Sequence, residues 1–533
     1  MPKAQGRVFG PARPEWKRTQ VRVINAIRRD VVSKFAGEVL SRMAFLLFFF
    51  YAGRKLGTAD FGTLNLAISV PYILGVLFLD PGLNLSTIQT LVSYPERARQ
   101  IAGSVFSLKW LLFIPLLVVL GTMSLIWGGK LPALSLLLWG AIYALFTALL
   151  EYLGSVTNAY HRMDLEAYFK IFNRLLIVIL GVVALSLGRV SAVLATMTLA
   201  TLLACVVAWF VLRRGLISVN FHWQFDHMWE SLKTGFPIAG TLIVMAIYLK
   251  WDLLVLSYFN IGREQIGWYA GAFKIVEAFS ALPGILGAAL FPVMIQLRKQ
   301  NSGQLERLLG VSTKALLLFS IPAAATISLF SSQIMPIVYG PKYLLGANVL
   351  VILVWCIVPM FLYFYLLFAN IASGHPEQNL WAGCVALAAG LLTNALLVPR
   401  IGYLGAAWAA LIANSSFALL AAWKLCRLFR GARIPETILR FAAAGALMTA
   451  AFLYIPGPVW MRVPVGLFAY AITLVIMGML SGNEISLALR LFSVGRELGL
   501  RRDDGELGIR VSDSPPQPIH NQEADLERVR ILQ

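Results

Sequence analysis

Charge is scarce in this chain. Asp, Glu, Lys and Arg make up 13% of its 533 residues, against about 25% in an average soluble domain. With 59% hydrophobic residues, that excludes an ordinary water-soluble enzyme and a disordered scaffold. Cysteine is scarce too. The four, Cys205, Cys356, Cys384 and Cys426, lie far apart and form no C-x-x-C, so neither a structural zinc site nor a disulfide framework is expected. The five histidines are scattered; His161 and His375 fall in short loops, and no metal or cofactor is expected. A signal peptide is not expected either. The first 34 residues hold nine Lys or Arg and no clean apolar core. Acid is scarcer than base, 26 residues against 45, which leaves a net charge of +19.

What the chain has instead is long apolar runs. About 20 apolar residues cross a bilayer as a helix. Fourteen such segments stand between polar or Gly/Pro breaks: 35–56, 61–80, 104–127, 133–158, 168–188, 190–212, 234–258, 266–297, 313–335, 347–373, 379–398, 403–423, 438–456 and 460–481. The fifth and sixth are divided at Gly188-Arg189. The fold expected is therefore an all-α polytopic membrane protein. Residues 15–34 place Trp16, Val23, Ile24, Ile27 and Val31 near one helical face with Lys17, Arg18, Arg22 and Arg28 between them, the pattern of a basic interfacial helix.

The cations test this reading. With the N-terminus in the cytoplasm, 32 of the 45 fall on inside segments, eight on outside loops and five within spans. A fourfold inside bias is the positive-inside rule, with both ends cytoplasmic. It says nothing of nucleic acid, and no nucleic-acid partner is expected. All outside loops are short, so no extracytoplasmic catalytic domain is expected. The polar tail, 482–533, includes Pro515-Pro516 and Pro518 and is expected to be partly disordered.

A repeat underlies the spans. Gly57-x4-Gly62-x4-Ala67 matches Gly262-x4-Gly267-x4-Ala272, Asn158-Ala159 resembles Ile371-Ala372, and Gly188-Arg189-Val190 resembles Pro399-Arg400-Ile401, at offsets of 205 to 213. Spans 1–6 and 7–12 then read as copies. Six spans per copy give both halves one orientation and a pseudo-two-fold along the membrane normal. The organisation expected is a basic tail (1–34), a first six-helix bundle (35–212), a cytoplasmic linker (213–233), a second six-helix bundle (234–430), two extra helices (438–481) and a polar tail (482–533).

Ionisable residues inside a membrane cost about 2.5 kcal/mol or more each and are functional candidates by default. They are Glu38 and Arg42 in span 1, Asp80 in span 2, Lys109 in span 3, Glu151 in span 4, Arg174 in span 5, Lys250 and Asp252 in span 7, and Lys274 and Glu277 in span 8. Lys109, Asp80 and Arg174 lie within about two turns of a cytoplasmic end, within snorkelling range. Glu38 and Arg42, at i,i+4, can neutralise each other. Lys274 and Glu277 share a face at i,i+3. Lys250 and Asp252 point apart, so each needs water or a partner on another span. Arg42, Lys250 and Lys274 are expected to line a hydrated cavity that attracts anions, phosphate above all, with Arg174 and Lys109 as further candidates. Asp252, Glu277, Glu38 and Glu151 are candidates for counter-ions or for coupling H+ or Na+. Pro71, Pro237 and Pro283 are candidate hinges, with Pro322 and Pro359 as further helix breakers.

The segments GRKLGTADFGTLNLAISV, LKWDLLVLSYFNIGREQIGWYAGAFKIVEAF, IVYGPKYLLGANVLVIL and NALLVPRIGYLGAAWAALIAN resemble polysaccharide and O-antigen flippases of the multidrug/oligosaccharidyl-lipid/polysaccharide exporter superfamily. The resemblance runs from about 35 to 481. It implies two six-helix bundles in a V, two additional helices and alternating access. The substrate it implies is a polyprenyl-diphosphate-linked oligosaccharide, moved from the cytoplasmic to the periplasmic leaflet of a bacterial inner membrane for surface polysaccharide synthesis. Luminal cations would hold the diphosphate, and Arg42, Lys250 and Lys274 fit that role. A polysaccharide polymerase and export machinery are implied partners, and a monomer is expected. A lipid II flippase and a multidrug extruder of the same superfamily are the alternatives, the latter disfavoured because Lys and Arg repel cationic drugs. A membrane glycan-modifying enzyme is more distant, since no span holds a convincing catalytic His.

Overall fold

The computed structural model describes residues 40–479, apart from 41, 301, 430, 432 and 455–458. Glu38, the basic segment 15–34 and the tail from 482 lie outside the described residues. The described chain is helical and contains no strand. Its helices are α1 (42–56), α2 (Thr58–Phe78), α3 (Leu83–Ser93), α4 (Ala98–Trp127), α5 (Leu134–Ala159), α6 (Met163–Leu185), α7 (Val190–Gly215), α8 (Phe225–Tyr258), α9 (Arg263–Phe279), α10 (Ala281–Gln300), α11 (Ser302–Leu329), α12 (Ser331–Tyr339), α13 (Ala347–Leu353), α14 (Ile357–Ala372), α15 (Glu377–Ile401), α16 (Tyr403–Leu428), α17 (Ile434–Tyr454) and α18 (Val459–Ile476). Each of the fourteen expected spans coincides with one of these helices or a consecutive pair. Ten stretches of described helix are long and apolar enough to cross a membrane.

Glycine places the breaks. Gly188 and Gly402 sit at φ of +62° and +61°, a region open to glycine at no steric cost, and each separates two antiparallel helices. This corrects the third pair of the repeat. The equivalent breaks are Gly188 and Gly402, whereas Pro399 and Arg400 still belong to α15.

Proline acts less uniformly than expected. Pro71 lies inside an uninterrupted α2. Its ring removes the partner of the Ala67 carbonyl, and that carbonyl faces Gly140, where a Cβ would meet it at 2.0 Å. Pro283 does interrupt its span: the ladder breaks at Ser280, beside the Phe279 carbonyl that Pro283 leaves without a donor. Pro237, the remaining candidate hinge, lies within α8, which begins at Phe225 and continues to Tyr258; the side chain of Pro237 is outside the described set. Pro322 leaves α11 continuous. Pro359 follows a single 3-10 turn, Val354–Cys356.

The packing repeats with the sequence. In the first half α5 packs on α7, α6 on α7, α2 on α5 and α4 on α5; in the second α14 packs on α16, α15 on α16, α10 on α14 and α11 on α14. These are corresponding spans in the two lobes. The lobes meet through α2 and α9, which are themselves equivalent, and through α8 against α2, α3 and α4. Helices α17 and α18 pair with each other and rest on α11 of the second lobe.

Candidate functional site

The two lobes touch where side chains are smallest. A Cβ on Gly62 would lie 2.3 Å from the Arg263 carbonyl, and one on Gly267 would lie 2.0 Å from the Thr58 carbonyl. These are the paired glycines of the repeat, facing each other across the pseudo-axis. Hydrogen bonds reinforce this cation-poor end. Arg263 Nη2 donates to Lys130 O at 2.7 Å, Ser257 Oγ donates to the same carbonyl, and Tyr343 OH donates to Gly57 O at 3.3 Å. Toward the cation-rich end, Gly82 approaches Gly235, whose carbonyl would lie 2.2 Å from a Cβ at 82.

Between these contacts lies a charged, solvent-accessible space. Lys274 and Arg174 each stand eleven residues from the cation-poor end of α9 and α6, about 16 Å along a helix and so near the middle of a hydrocarbon core of about 30 Å. From the second lobe, Lys250 Nζ donates to Glu277 Oε1 at 3.1 Å and Lys274 Nζ to Glu277 Oε2 at 2.7 Å. One carboxylate thus bridges two ammonium groups. The lysine side chains are 16% and 11% exposed and that of Glu277 is 38% exposed. The carboxylate stands on the open side, with the lysines behind it.

From the first lobe, Arg174 lies with Cζ 3.7 Å from the Phe45 ring centroid. Its Nη1 is buried and has no hydrogen-bond partner among the described residues. Lys274 Nζ stands 4.4 Å from the Phe49 ring and 5.8 Å from Phe45. The two aromatic rings, at i,i+4 on α1, form an edge-to-face pair 4.7 Å apart and support cations from both lobes. Arg42 Nη1 reaches Ser280 Oγ at 3.5 Å, and that hydroxyl donates to Glu277 O at 2.7 Å. Glu151 is exposed and within electrostatic reach of Arg174. Tyr72 lies within reach of both Glu151 and Glu277.

The structure therefore brings together Arg42, Arg174, Lys250, Lys274, Glu277 and Glu151. It separates two other candidates. Lys109 does not snorkel: it is 0% exposed, donates to Leu79 O at 2.7 Å and lies 3.7 Å from Asp80 Oδ1. Asp80 in turn accepts from the Asn84 backbone N–H at 2.9 Å, at the start of α3. Asp252 does not pair with the lysines. Its carboxylate accepts from Tyr269 OH at 2.7 Å and Asn394 Nδ2 at 2.9 Å, while Asn394 Oδ1 is buried without a hydrogen-bond partner among the described residues. The residues not singled out from sequence are Phe45, Phe49, Tyr72 and Ser280. The Phe45-x3-Phe49 spacing, about one helical turn after Arg42, was the available signal for an aromatic platform.

Among the described residues no cluster of three His, Cys, Asp or Glu can hold a metal ion. Away from the lumen, an apolar cavity of about 670 Å³ is lined by residues of α11, α14, α16 and α17, including Ile321, Pro359, Leu411, Gly445 and Thr449.

Comparisons with known proteins agree with this architecture. In fold the chain is similar to a lipid II flippase, MurJ, in an inward closed conformation, with 16% identity over 84% of this chain and 98% of that one and a TM-score of 0.67. It is also similar to an inward-facing multidrug resistance MATE family transporter of the MOP superfamily, with 14% identity over 75% and 99% of the two chains and a TM-score of 0.55. In sequence it is 31% identical over 176 residues to an uncharacterised membrane protein of Methanocaldococcus jannaschii, MJ1068, over 32% of this chain and 33% of that protein. It is 24% identical over 162 residues to Agl15 of Haloferax volcanii, described as a probable low-salt glycan biosynthesis flippase, over 30% of this chain and 34% of that protein. The chain thus spans about a third of the length of these curated relatives. The model of the family described as polysaccharide biosynthesis protein matches residues 27–298, half of the chain, and it covers the whole first lobe together with Lys250, Lys274 and Glu277. This multi-pass membrane protein belongs to the polysaccharide biosynthesis protein family.

Proposed function

We propose that the protein is a flippase that moves a polyprenyl-diphosphate-linked oligosaccharide from the cytoplasmic to the periplasmic leaflet of the inner membrane by alternating access, with no covalent change to its cargo. The observation that carries this reading is the cationic group at mid-membrane between the lobes: Arg174, whose buried Nη1 has no hydrogen-bond partner among the described residues, Lys250 and Lys274 sharing one carboxylate, and Arg42 beside them. Two lysines and two arginines against Glu277 and Glu151 leave an excess of positive charge, which suits an anion and disfavours a cationic drug. A diphosphate meets Arg through paired N–H donors and Lys as point charges. The apolar cavity beside α17 has the chemistry of a polyprenyl tail.

The orientation with both termini in the cytoplasm rests on the distribution of Lys and Arg. In that orientation the membrane potential assists export, at about 2.3 kcal/mol per charge per 100 mV. Further coupling to H+ or Na+ belongs with Asp252, whose carboxylate accepts from Asn394, the oxygen of which has no hydrogen-bond partner among the described residues. A polymerase and export machinery would take the product on the far side.

Deleting the gene and assaying polyprenyl-diphosphate glycans by leaflet tests the reading. Accumulation in the cytoplasmic leaflet with loss of surface polysaccharide is expected, and the accumulated glycan identifies the cargo, lipid II included. Normal surface glycan together with heightened drug sensitivity would overturn it.

A further inference from the structure

We propose that Glu277 is a built-in competitor for the phosphate site, which reserves the lumen for head groups carrying two or more negative charges. The proposal rests on the flippase reading and goes beyond it by naming what excludes the commonest wrong ligand. A bilayer presents phospholipid phosphates at very high local concentration, each with a single negative charge. Bare lysines in a lumen open to lipid would be occupied by them. Specificity against such a competitor needs a repulsive element as well as an attractive one.

Glu277 has the geometry of that element. Its two oxygens take one ammonium each, Oε1 from Lys250 and Oε2 from Lys274, as two phosphate oxygens would. It is more exposed than either lysine, so an arriving anion meets the carboxylate first. A singly charged phosphate offers the lysines no more charge than the glutamate already does and is repelled by it. A diphosphate diester brings two charges, one for the Lys250–Lys274 pair and one for Arg174, whose Nη1 has no hydrogen-bond partner among the described residues. Only the second ligand gains enough to displace the carboxylate.

Displacement is eased by where Glu277 sits. It lies in the last turn of α9, where the helix dipole disfavours an anion, and it is held there by the two lysines. Three residues on, the helix ends at Ser280, so the turn that carries Glu277 does not continue into α10. When the diphosphate departs, the carboxylate returns and closes the site against lipid.

The test uses the full-length protein in nanodiscs, with radiolabelled farnesyl diphosphate and farnesyl methyl phosphate, a phosphodiester with one negative charge like a phospholipid phosphate, as probes. Wild type is expected to prefer the diphosphate by about tenfold or more. Glu277→Gln is expected to raise phosphodiester affinity more than diphosphate affinity and bring the ratio to within about twofold. Glu277→Asp, which keeps the charge, is expected to retain the preference. A ratio unchanged in Glu277→Gln, or lost equally in Glu277→Asp, overturns the proposal while leaving the flippase reading intact. Wild type that binds no farnesyl diphosphate overturns the flippase reading itself. A measurement needing no variant serves where the substitution disturbs folding. Changing the nanodisc lipid from phosphatidylcholine to an equal mixture with phosphatidylglycerol should leave diphosphate binding by wild type unchanged, and strong competition by phosphatidylglycerol overturns the proposal.

Discussion

Lys109 and Arg174 were equivalent by sequence, each a single cation about two turns from the same face of the membrane. Folding gives them opposite fates. Lys109 is sealed inside the first lobe between the Leu79 carbonyl and Asp80, with the Tyr152 ring 5.6 Å away. Arg174 turns toward the lumen and stacks on Phe45. Depth alone does not separate them, because the choice depends on which neighbouring helix offers a carbonyl and a carboxylate. The two substitutions should therefore fail differently. Lys109→Met leaves the half-buried Asp80 carboxylate and the Leu79 carbonyl without their cation, which costs about 1–3 kcal/mol. A lowered Tm in detergent and a matching fall in abundance are expected, with transport falling in proportion. Arg174→Ala removes no hydrogen bond among the described residues, so normal abundance with lost transport is expected. Equal Tm for the two variants would show that Lys109 is not a structural cation. The i,i+3 pairing of Lys274 with Glu277 was legible in the spacing. The capture of the same carboxylate by Lys250, 27 positions away, was not, because helix registry between spans is set by packing.

At the level of elements, glycine carried more information than proline. The repeat Gly57-x4-Gly62 and Gly262-x4-Gly267 marks where α2 and α9 cross with backbone against backbone. Small residues at a membrane helix crossing permit such close approach. Proline was a poorer guide: Pro322 leaves its helix intact, whereas Pro283 breaks its own, since the outcome depends on neighbours that satisfy the freed carbonyl. The Gly62–Gly267 crossing works as a gate if the lobes part there. Gly267→Val places a side chain where a Cβ already meets the Thr58 carbonyl at 2.0 Å, and full closure is lost. In a background lacking the exposed Cys384, a Ser280→Cys probe in the lumen should be poorly labelled by an impermeant maleimide added outside intact cells. Adding Gly267→Val should raise that labelling severalfold. Unchanged labelling would mean that the crossing is a fixed joint and that the lobes move elsewhere.

For the molecule as a whole, two features of the sequence were enough to set the architecture. One is the alternation of cation-rich and cation-poor connections, which requires the right number of spans. The other is the internal repeat, which reappears as equivalent packing of α5 on α7 and α14 on α16, and of α2 on α5 and α10 on α14. The direction of transport depends on the first of these. The interlobe bonds described at the cation-poor end, from Arg263 to Lys130 and from Tyr343 to Gly57, join the lobes there, and on the proposed reading the lumen is loaded from the cation-rich side when Gly82 and Gly235 part. By the distribution of Lys and Arg that side is the cytoplasm, where lipid-linked oligosaccharide is assembled on the proposed reading. Isosteric probes decide it. Ser186→Cys lies exposed between α6 and α7 at the cation-poor end, and Ser93→Cys lies exposed at the end of α3 on the cation-rich side. In a strain without Cys384, impermeant maleimide should label Ser186→Cys in intact cells and Ser93→Cys only after permeabilisation. The reverse pattern would invert the membrane orientation, and with it the side from which Glu277 and its two lysines meet their ligand.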